Sequence, residues 1–314
     1  MMKWIFTLFS NPKFKLTYIL ILLIACVYYL FLKADKFYAL ANNANVKIIG
    51  LAFILIYLTL LLYAFISYYI YKNLNVSISY LQAFRIMSFS NLGKYIPGKI
   101  WVAGNYFLFS QEAGIKTANI GVSFAIFTSV FVGIAILFSI PVISILSPYL
   151  KYYIIILPII LILVAHPKVL NWIFSLIWQI VQKYKGNFKD INLQILKEIK
   201  YHFYLNVILI IFLWWLVTGF TFYLVTYAFQ PIEITNLPFC IAAFALSATI
   251  GFIAIFVPAG IGVREGIGIL LLSQIVTTEC AFLAMLTMRL IGVTIDLCNG
   301  LISVFCIHSS NSQN

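Results

Sequence analysis

Carboxylates are scarce in this chain. Its 314 residues hold eight Asp and Glu in total, and no two of them form a close pair. General acid–base chemistry on glycosidic bonds relies on paired carboxylates, so a sugar-transferring or sugar-cleaving enzyme is poorly supported. Histidine and cysteine are few as well. His166, His202 and His308 are scattered near segment ends. Cys26, Cys240, Cys280, Cys298 and Cys306 lie in or beside apolar stretches, with no CxxC among them. Neither a metal-ligand cluster nor a dithiol motif is present, and the cysteines read as small buried hydrophobes. Regular polar–apolar alternation is missing too, which argues against a transmembrane β-barrel. No cofactor is called for.

What the chain has is apolar length. Hydrophobic residues make up 64% of it and charged residues 9%. Apolar runs of roughly 18 or more residues recur from end to end, each long enough to cross a ~30 Å hydrocarbon layer as a helix. The sequence therefore predicts an all-α polytopic membrane protein, with residues 1–314 forming one integral-membrane domain. About six full transmembrane helices are expected, over 16–32, 48–71, 118–140, 150–165, 203–228 and 280–307. The first follows Lys3, Lys13 and Lys15 and has no small-residue cleavage site, so it reads as an uncleaved helix. The stretch 169–181, with Trp172, Phe174 and Trp178, suits the membrane interface. Tyr68, Tyr69, Tyr71, Tyr152 and Tyr153 suit aromatic belts at helix ends.

The formal net charge is +12. In a chain this apolar, lysines gathered in loops indicate topology and attraction to anionic lipid rather than nucleic acid. The N-terminus and the basic segment 183–200 are expected to be cytoplasmic in the cell membrane, as is 72–116 with Lys72, Arg85 and Lys116. The loop 229–238 has Glu233 and no Lys or Arg, which suits the outside.

Two segments break the apolar pattern. The first, 79–113, carries Gln82, Arg85, Ser88, Asn91 and Lys94 and is interrupted at YIPGKIW (95–101). The second, 237–276, is interrupted at FVPAGIGVREG (256–266). The lysine asymmetry makes the first re-entrant from the cytoplasm and the second re-entrant from outside; a rival topology lets 237–257 cross fully. Each Pro–Gly break is followed by a Ser–Gln pair, at 110–111 and 273–274, and later by a branched–Gly–branched triplet around Gly133 and Gly292. Matching breaks entering from opposite sides suggest an inverted repeat, an arrangement in which transporters place substrate near the membrane midplane.

Proline and glycine stop a helix and let backbones approach, and such breaks persist in lipid only where protein or water covers them. A half-helix starting near Val263 would present free amides and a positive dipole end, with Arg264 beside it, as a cradle for a phosphate. Lys94 and Lys99 flank the other break. The plain alternatives are a packing role for the GxxxG spacing Gly262–Gly266 and an interfacial pairing of Arg264 with Glu265. In the last helix Arg289 and Asp296 stand seven residues apart, on one face and about 10 Å apart along the axis. Intramembrane charges are costly, so both should face protein, either to pair structurally (Arg264 with Asp296, for example) or to handle protons or substrate.

At these motifs the chain resembles a known family. NLGKYIPGKIW (91–101) and VPAGIGVREG (257–266) are similar to the paired signatures of the lysylphosphatidylglycerol synthase transmembrane region, also called the flippase-like membrane family. In multiple peptide resistance factors, a domain of this kind moves a lysine-modified phospholipid between leaflets, and a soluble aminoacyltransferase domain follows it. Here seven residues (308–314) follow the last helix, so no lysyl-phosphatidylglycerol synthesis is expected. The resemblance implies translocation of an amphipathic lipid, an anionic phospholipid or a polyprenyl-phosphate-linked sugar. It implies membrane lipids as partners, and glycosyltransferases or other envelope-synthesis proteins beside them. Carried over by position, the head-group residues are Lys94, Tyr95, Pro97, Gly98, Lys99, Pro258, Gly260, Gly262, Arg264, Glu265 and Gly266, with Arg289 and Asp296 for coupling. One departure is notable: many members carry an acid in the helix after the first motif, and SFAIFTSVFVG (123–133) has none. Any proton coupling would then rest on Asp296. Two other functions compete: a non-catalytic membrane partner of glycan or lipid enzymes, and a membrane glycosyltransferase, for which the loop 33–47 offers only Asp35.

Overall fold

The computed structural model describes Tyr28 and residues 31–96, 100–146, 201–254 and 257–311. Nearly all of the helix expected over 16–32, the helix 150–165, the stretch 169–181 and the basic segment 183–200 lie outside the described residues, as do Pro97, Gly98 and Lys99. No strand occurs among the described residues; helices account for almost all of them.

A short helix, α1 (Ala34–Asn42), precedes α2 (Val46–Asn73). The first broken hairpin consists of α3 (Tyr80–Leu92), a 3-10 turn at Gly93–Tyr95, and α4 (Ile100–Glu112). A long helix, α5 (Thr117–Leu146), follows. The pattern then recurs: α6 (Tyr201–Phe229), α7 (Leu237–Ile253), a 3-10 turn at Pro258–Gly260, α8 (Val263–Leu272) and long α9 (Thr278–Asn311). Among the described residues, five helical stretches are long and apolar enough to cross a membrane: Val46–Asn73, Thr117–Ile143, His202–Phe229, Ile234–Ile253 and Thr278–Ser303. The protein is an all-helical, multi-pass membrane protein.

Local signals set the starts of these elements. Asn45 caps α2 by accepting from the Ile48 amide. Ser79 and Gln82 form a reciprocal capping box at the start of α3, and Pro238 occupies the first turn of α7. The stretch 33–47, read from sequence as a loop, folds in part as α1. Its Phe37 buries against Phe282, with ring centroids 5.4 Å apart, and Lys36 pairs with Glu279 at 3.3 Å. Those contacts come from α9, far along the chain, and no local pattern announces them.

Antiparallel α2 and α6 form the spine. The Trp214 indole donates to the Thr59 carbonyl at 2.8 Å, and the Asn206 amide donates to the Tyr69 hydroxyl at 2.8 Å. At the other end the Asn45 amide donates to the Ala228 carbonyl at 2.9 Å. Tyr71 is not a belt residue. It is wholly buried, and its hydroxyl is hydrogen-bonded to the Ser110 hydroxyl of α4 at 3.0 Å. Cys240 and Cys280 are buried as expected, whereas Cys298 is exposed.

These contacts also orient the hairpins. The Tyr71–Ser110 bond brings the end of α4 back to the end of α2 that carries Lys72, so the first hairpin enters and leaves at that end. For the second, Thr277 bonds through its amide and hydroxyl to the Gln230 side chain, at 3.1 and 3.0 Å. The chain therefore runs out along α7 and back along α8 to the Gln230 end, rather than crossing once. The helix contacts follow a pseudo-twofold relation between α2–α5 and α6–α9. Each hairpin's first arm packs on the other half's long helix, α3 on α9 and α7 on α5, and the two 3-10 turns touch. This is the architecture of an inverted repeat.

Candidate functional site

The hairpin tips meet beside Arg289, which lies close to the middle of the apolar stretch Thr278–Ser303. Glycines make that meeting possible. A Cβ at Gly93 would lie 2.6 Å from the Trp101 carbonyl oxygen, so the first tip closes only without one. At the second tip Ala259 has φ 48°, Gly260 φ 68° and Gly262 φ 85°, three left-handed residues in one turn. Gly251 of α7 completes the packing: a Cβ there would sit 2.8 Å from the Arg264 Cβ.

Among the described residues, five charged side chains gather at the tips. Lys94 reaches the Asp296 Oδ2 at 2.5 Å, and the Tyr95 hydroxyl donates to the same oxygen at 2.7 Å. Arg289 donates to the Ala259 carbonyl at 3.1 Å and pairs with the Glu265 Oε1 at 3.3 Å. The Glu265 Oε2 accepts from the Gly262 amide at 2.7 Å. Arg264 spreads its guanidinium over the Phe244 ring, 4.8 Å from the centroid. The sequence expectation of Arg264 paired with Asp296 or Glu265 is therefore corrected. The two carboxylates take Lys94 and Arg289, and among the described residues Arg264 is the tip cation with no carboxylate within 4.0 Å. Among the described residues, three cations against two carboxylates leave one positive charge in excess.

The α8 amide end is also less free than its sequence suggested. Glu265, in the first turn, folds back on the Gly262 amide and places a negative charge at the positive end of the dipole. Gly266 has open space around its Cβ direction, so the Gly262–Gly266 spacing does not mark a close helix contact. Lys94, Tyr95, Gly260, Gly262, Arg264, Glu265, Arg289 and Asp296 thus come together at the tips. The backbone of Pro258 lies in the second tip, and Pro97, Gly98 and Lys99 fall outside the described residues. Sequence reasoning missed Phe244 and Gly251. Both sit on one face of α7, seven residues apart, and a small residue two turns from an aromatic was the available signal.

Glu265 supplies a first prediction. Glu265→Gln keeps an acceptor for Gly262 but removes the charge facing Arg289. It should lower stability by about 1–2 kcal/mol, and Glu265→Ala by more, because a partly buried donor then goes unpaired. Thermal unfolding of both variants in detergent checks this. Equal losses would show that the Gly262 bond contributes nothing.

A helical membrane protein whose broken hairpins enter from opposite ends, and close around a partly paired charge cluster, has the build of an inverted-repeat transport domain. The chain belongs to the family described as the lysylphosphatidylglycerol synthase TM region, whose model matches residues 17–300. Membership places it among membrane domains with a lipid-related, flippase-like role. No curated protein matches the chain.

Proposed function

We propose that the protein translocates an amphipathic lipid with an anionic head group, an anionic phospholipid or a polyprenyl-phosphate-linked sugar, across the cytoplasmic membrane. The observation that carries the reading is Arg264: a guanidinium at the junction of the two hairpins, set over the Phe244 ring and without a carboxylate within 4.0 Å among the described residues. A phosphate entering hydrocarbon alone is strongly disfavoured, and a preplaced cation offsets that cost at the deepest point of the path. Arginine suits the task because it stays charged and binds phosphate with two parallel bonds. The Lys72 end is assigned to the cytoplasm on the lysine asymmetry, which puts the Gln230 end outside. No bond-making step is assigned to the domain. Glycosyltransferases and other envelope-synthesis proteins are the partners that would supply or consume its cargo.

The test is head-group translocation in proteoliposomes, using a labelled anionic lipid beside a zwitterionic one. Arg264→Gln keeps most of the side chain's bulk and removes its charge. It should slow the anionic lipid at least about tenfold, the equivalent of one charge-assisted contact. An unchanged rate would remove Arg264 as the anchor, and no translocation by the parent protein would sink the transport reading.

A further inference from the structure

The seam between α3 and α9 is unlike its symmetry counterpart. Leu92 of α3 lies against Gly300 of α9, where an added Cβ would be 2.7 Å from the leucine Cδ1. Helical spacing puts Arg85 and Ser88 on the Leu92 face of α3, and Asp296, Asn299 and Ser303 on the Gly300 face of α9. Of the residues that this spacing turns toward the seam, Arg85 Nε, Ser88 Oγ, Asn299 Oδ1 and Ser303 Oγ are all buried without a hydrogen-bond partner among the described residues. Only two other such side-chain atoms occur there, Asn119 Oδ1 and Tyr204 OH. The matching seam, where α7 packs on α5, is apolar: Val142, Ala242 and Ala243 form a buried cluster with Leu271. The polar groups of α7, Ser247 and Thr249, bond to carbonyls of their own helix.

Buried polar atoms are nearly always paired, and leaving one unpaired costs about 1–3 kcal/mol. Four in one seam, beside a tightly packed glycine contact, form a polar track waiting for a partner. Its chemistry is specific. The guanidinium and two hydroxyls are donors, and the guanidinium has no carboxylate partner among the described residues. Asn299 offers a lone acceptor, since its amide nitrogen already donates to the Ile295 carbonyl at 2.8 Å. At the inner end of the track stand Lys94 and Asp296, whose ion pair fastens the first tip to α9.

We propose that the α3–α9 seam is a second head-group site, which takes an anionic phosphate ester that also carries a free hydroxyl. The phosphate meets Arg85 and the two serines, and the hydroxyl donates to Asn299. The seam opens when the phosphate competes with Asp296 for Lys94, which links it to the tip site. This rests on the transport reading for its purpose but on the orphaned atoms for its chemistry.

The experiment is native mass spectrometry of the purified full chain with equimolar phosphatidylglycerol and phosphatidylmethanol of matched acyl chains. The two share a charge and differ in hydroxyls. The parent protein should retain phosphatidylglycerol about tenfold better, as expected for a site that loses a buried hydrogen bond to the analogue. Asn299→Leu should erase that preference. Arg85→Gln should weaken the retention of both anionic lipids relative to phosphatidylcholine, and what anionic preference remains should be that of the Arg264 site, lost when Arg264→Gln is added. In Ser88→Ala/Ser303→Ala retention should fall while the melting temperature holds or rises, because two orphaned hydroxyls are gone. Equal retention of both anionic lipids by the parent protein would overturn the site. So would retention unmoved in every variant, the result expected of a seam holding only water. Translocation measured on the same preparations separates the two readings. Selective retention without translocation keeps the seam site and removes the transport function. Translocation without selectivity or an Arg85 effect removes the seam site alone.

Discussion

Asp296→Ala is expected to lower the unfolding free energy of the detergent-solubilised protein by about 3 kcal/mol. The carboxylate is 5% exposed and holds two groups from the first hairpin tip, the Lys94 ammonium and the Tyr95 hydroxyl. Deleting it leaves a cation beside apolar α9 with nothing opposite, and a tyrosine hydroxyl without its acceptor. Lys94 is 36% exposed, so water recovers part of the loss, which places the estimate at the lower end of the ~3–5 kcal/mol seen when one member of a buried pair is removed. The double variant Lys94→Met/Asp296→Leu should recover most of that stability. Two apolar groups of similar volume need no mutual compensation, and buried pairs are often neutral against such replacements. Transport should not recover with it, because the double variant also removes a cation from the path. Thermal unfolding of the two singles and the double, in one double-mutant cycle, measures the coupling directly. Additive losses would show that the pair is incidental to the fold.

Gly260→Val is the second large effect, and it acts through the backbone. Gly260 has φ 68°, a region a β-branched residue enters only with strain. An added Cβ would lie 3.0 Å from the Gly251 carbonyl oxygen and 3.1 Å from its Cα, and neither atom has a rotamer to give way. Left-handed strain of about 1–2 kcal/mol and overpacking of about 1–3 kcal/mol add to a loss of roughly 2–5 kcal/mol. The turn that places Arg264 and Glu265 would then be lost. The variant should elute as aggregate or melt well below the parent on size-exclusion chromatography with a temperature ramp. Gly50→Val is the control, since nothing lies within 4 Å of that Cβ direction in α2. Matching elution of the two variants would mean that the tip tolerates a side chain.

Much of this fold was legible in the chain because membrane helices must satisfy their own backbone. Apolar runs at 48–71, 118–140, 203–228 and 280–307 became helices at Val46–Asn73, Thr117–Leu146, Tyr201–Phe229 and Thr278–Asn311. Lipid leaves such runs no other form, so length and composition suffice. The breaks at Tyr95 and at Pro258–Gly262 were legible for the same reason, since Pro and Gly inside an oily run announce a place where lipid is absent.

Pairing was not legible. The sequence by itself determined that Arg289 and Asp296 must face protein, because each is too costly to face lipid, and it placed Lys94, Arg264 and Glu265 at the two breaks. It could not determine who pairs with whom. Glu265 lies next to Arg264 in the chain, yet adjacent residues on a helix point in different directions, and Glu265 meets Arg289 of α9 instead. Asp296 takes Lys94 from a hairpin about 200 positions earlier, because the pseudo-twofold packing lays α3 along α9. Arg264 is thereby left on Phe244, a contact made by the close approach of α7 to α8 at Gly251. Local chemistry fixed that the last-helix charges had to face protein; only the crossing of the two halves decided that Arg264 would lie on an aromatic ring while Lys94 and Arg289 take the carboxylates.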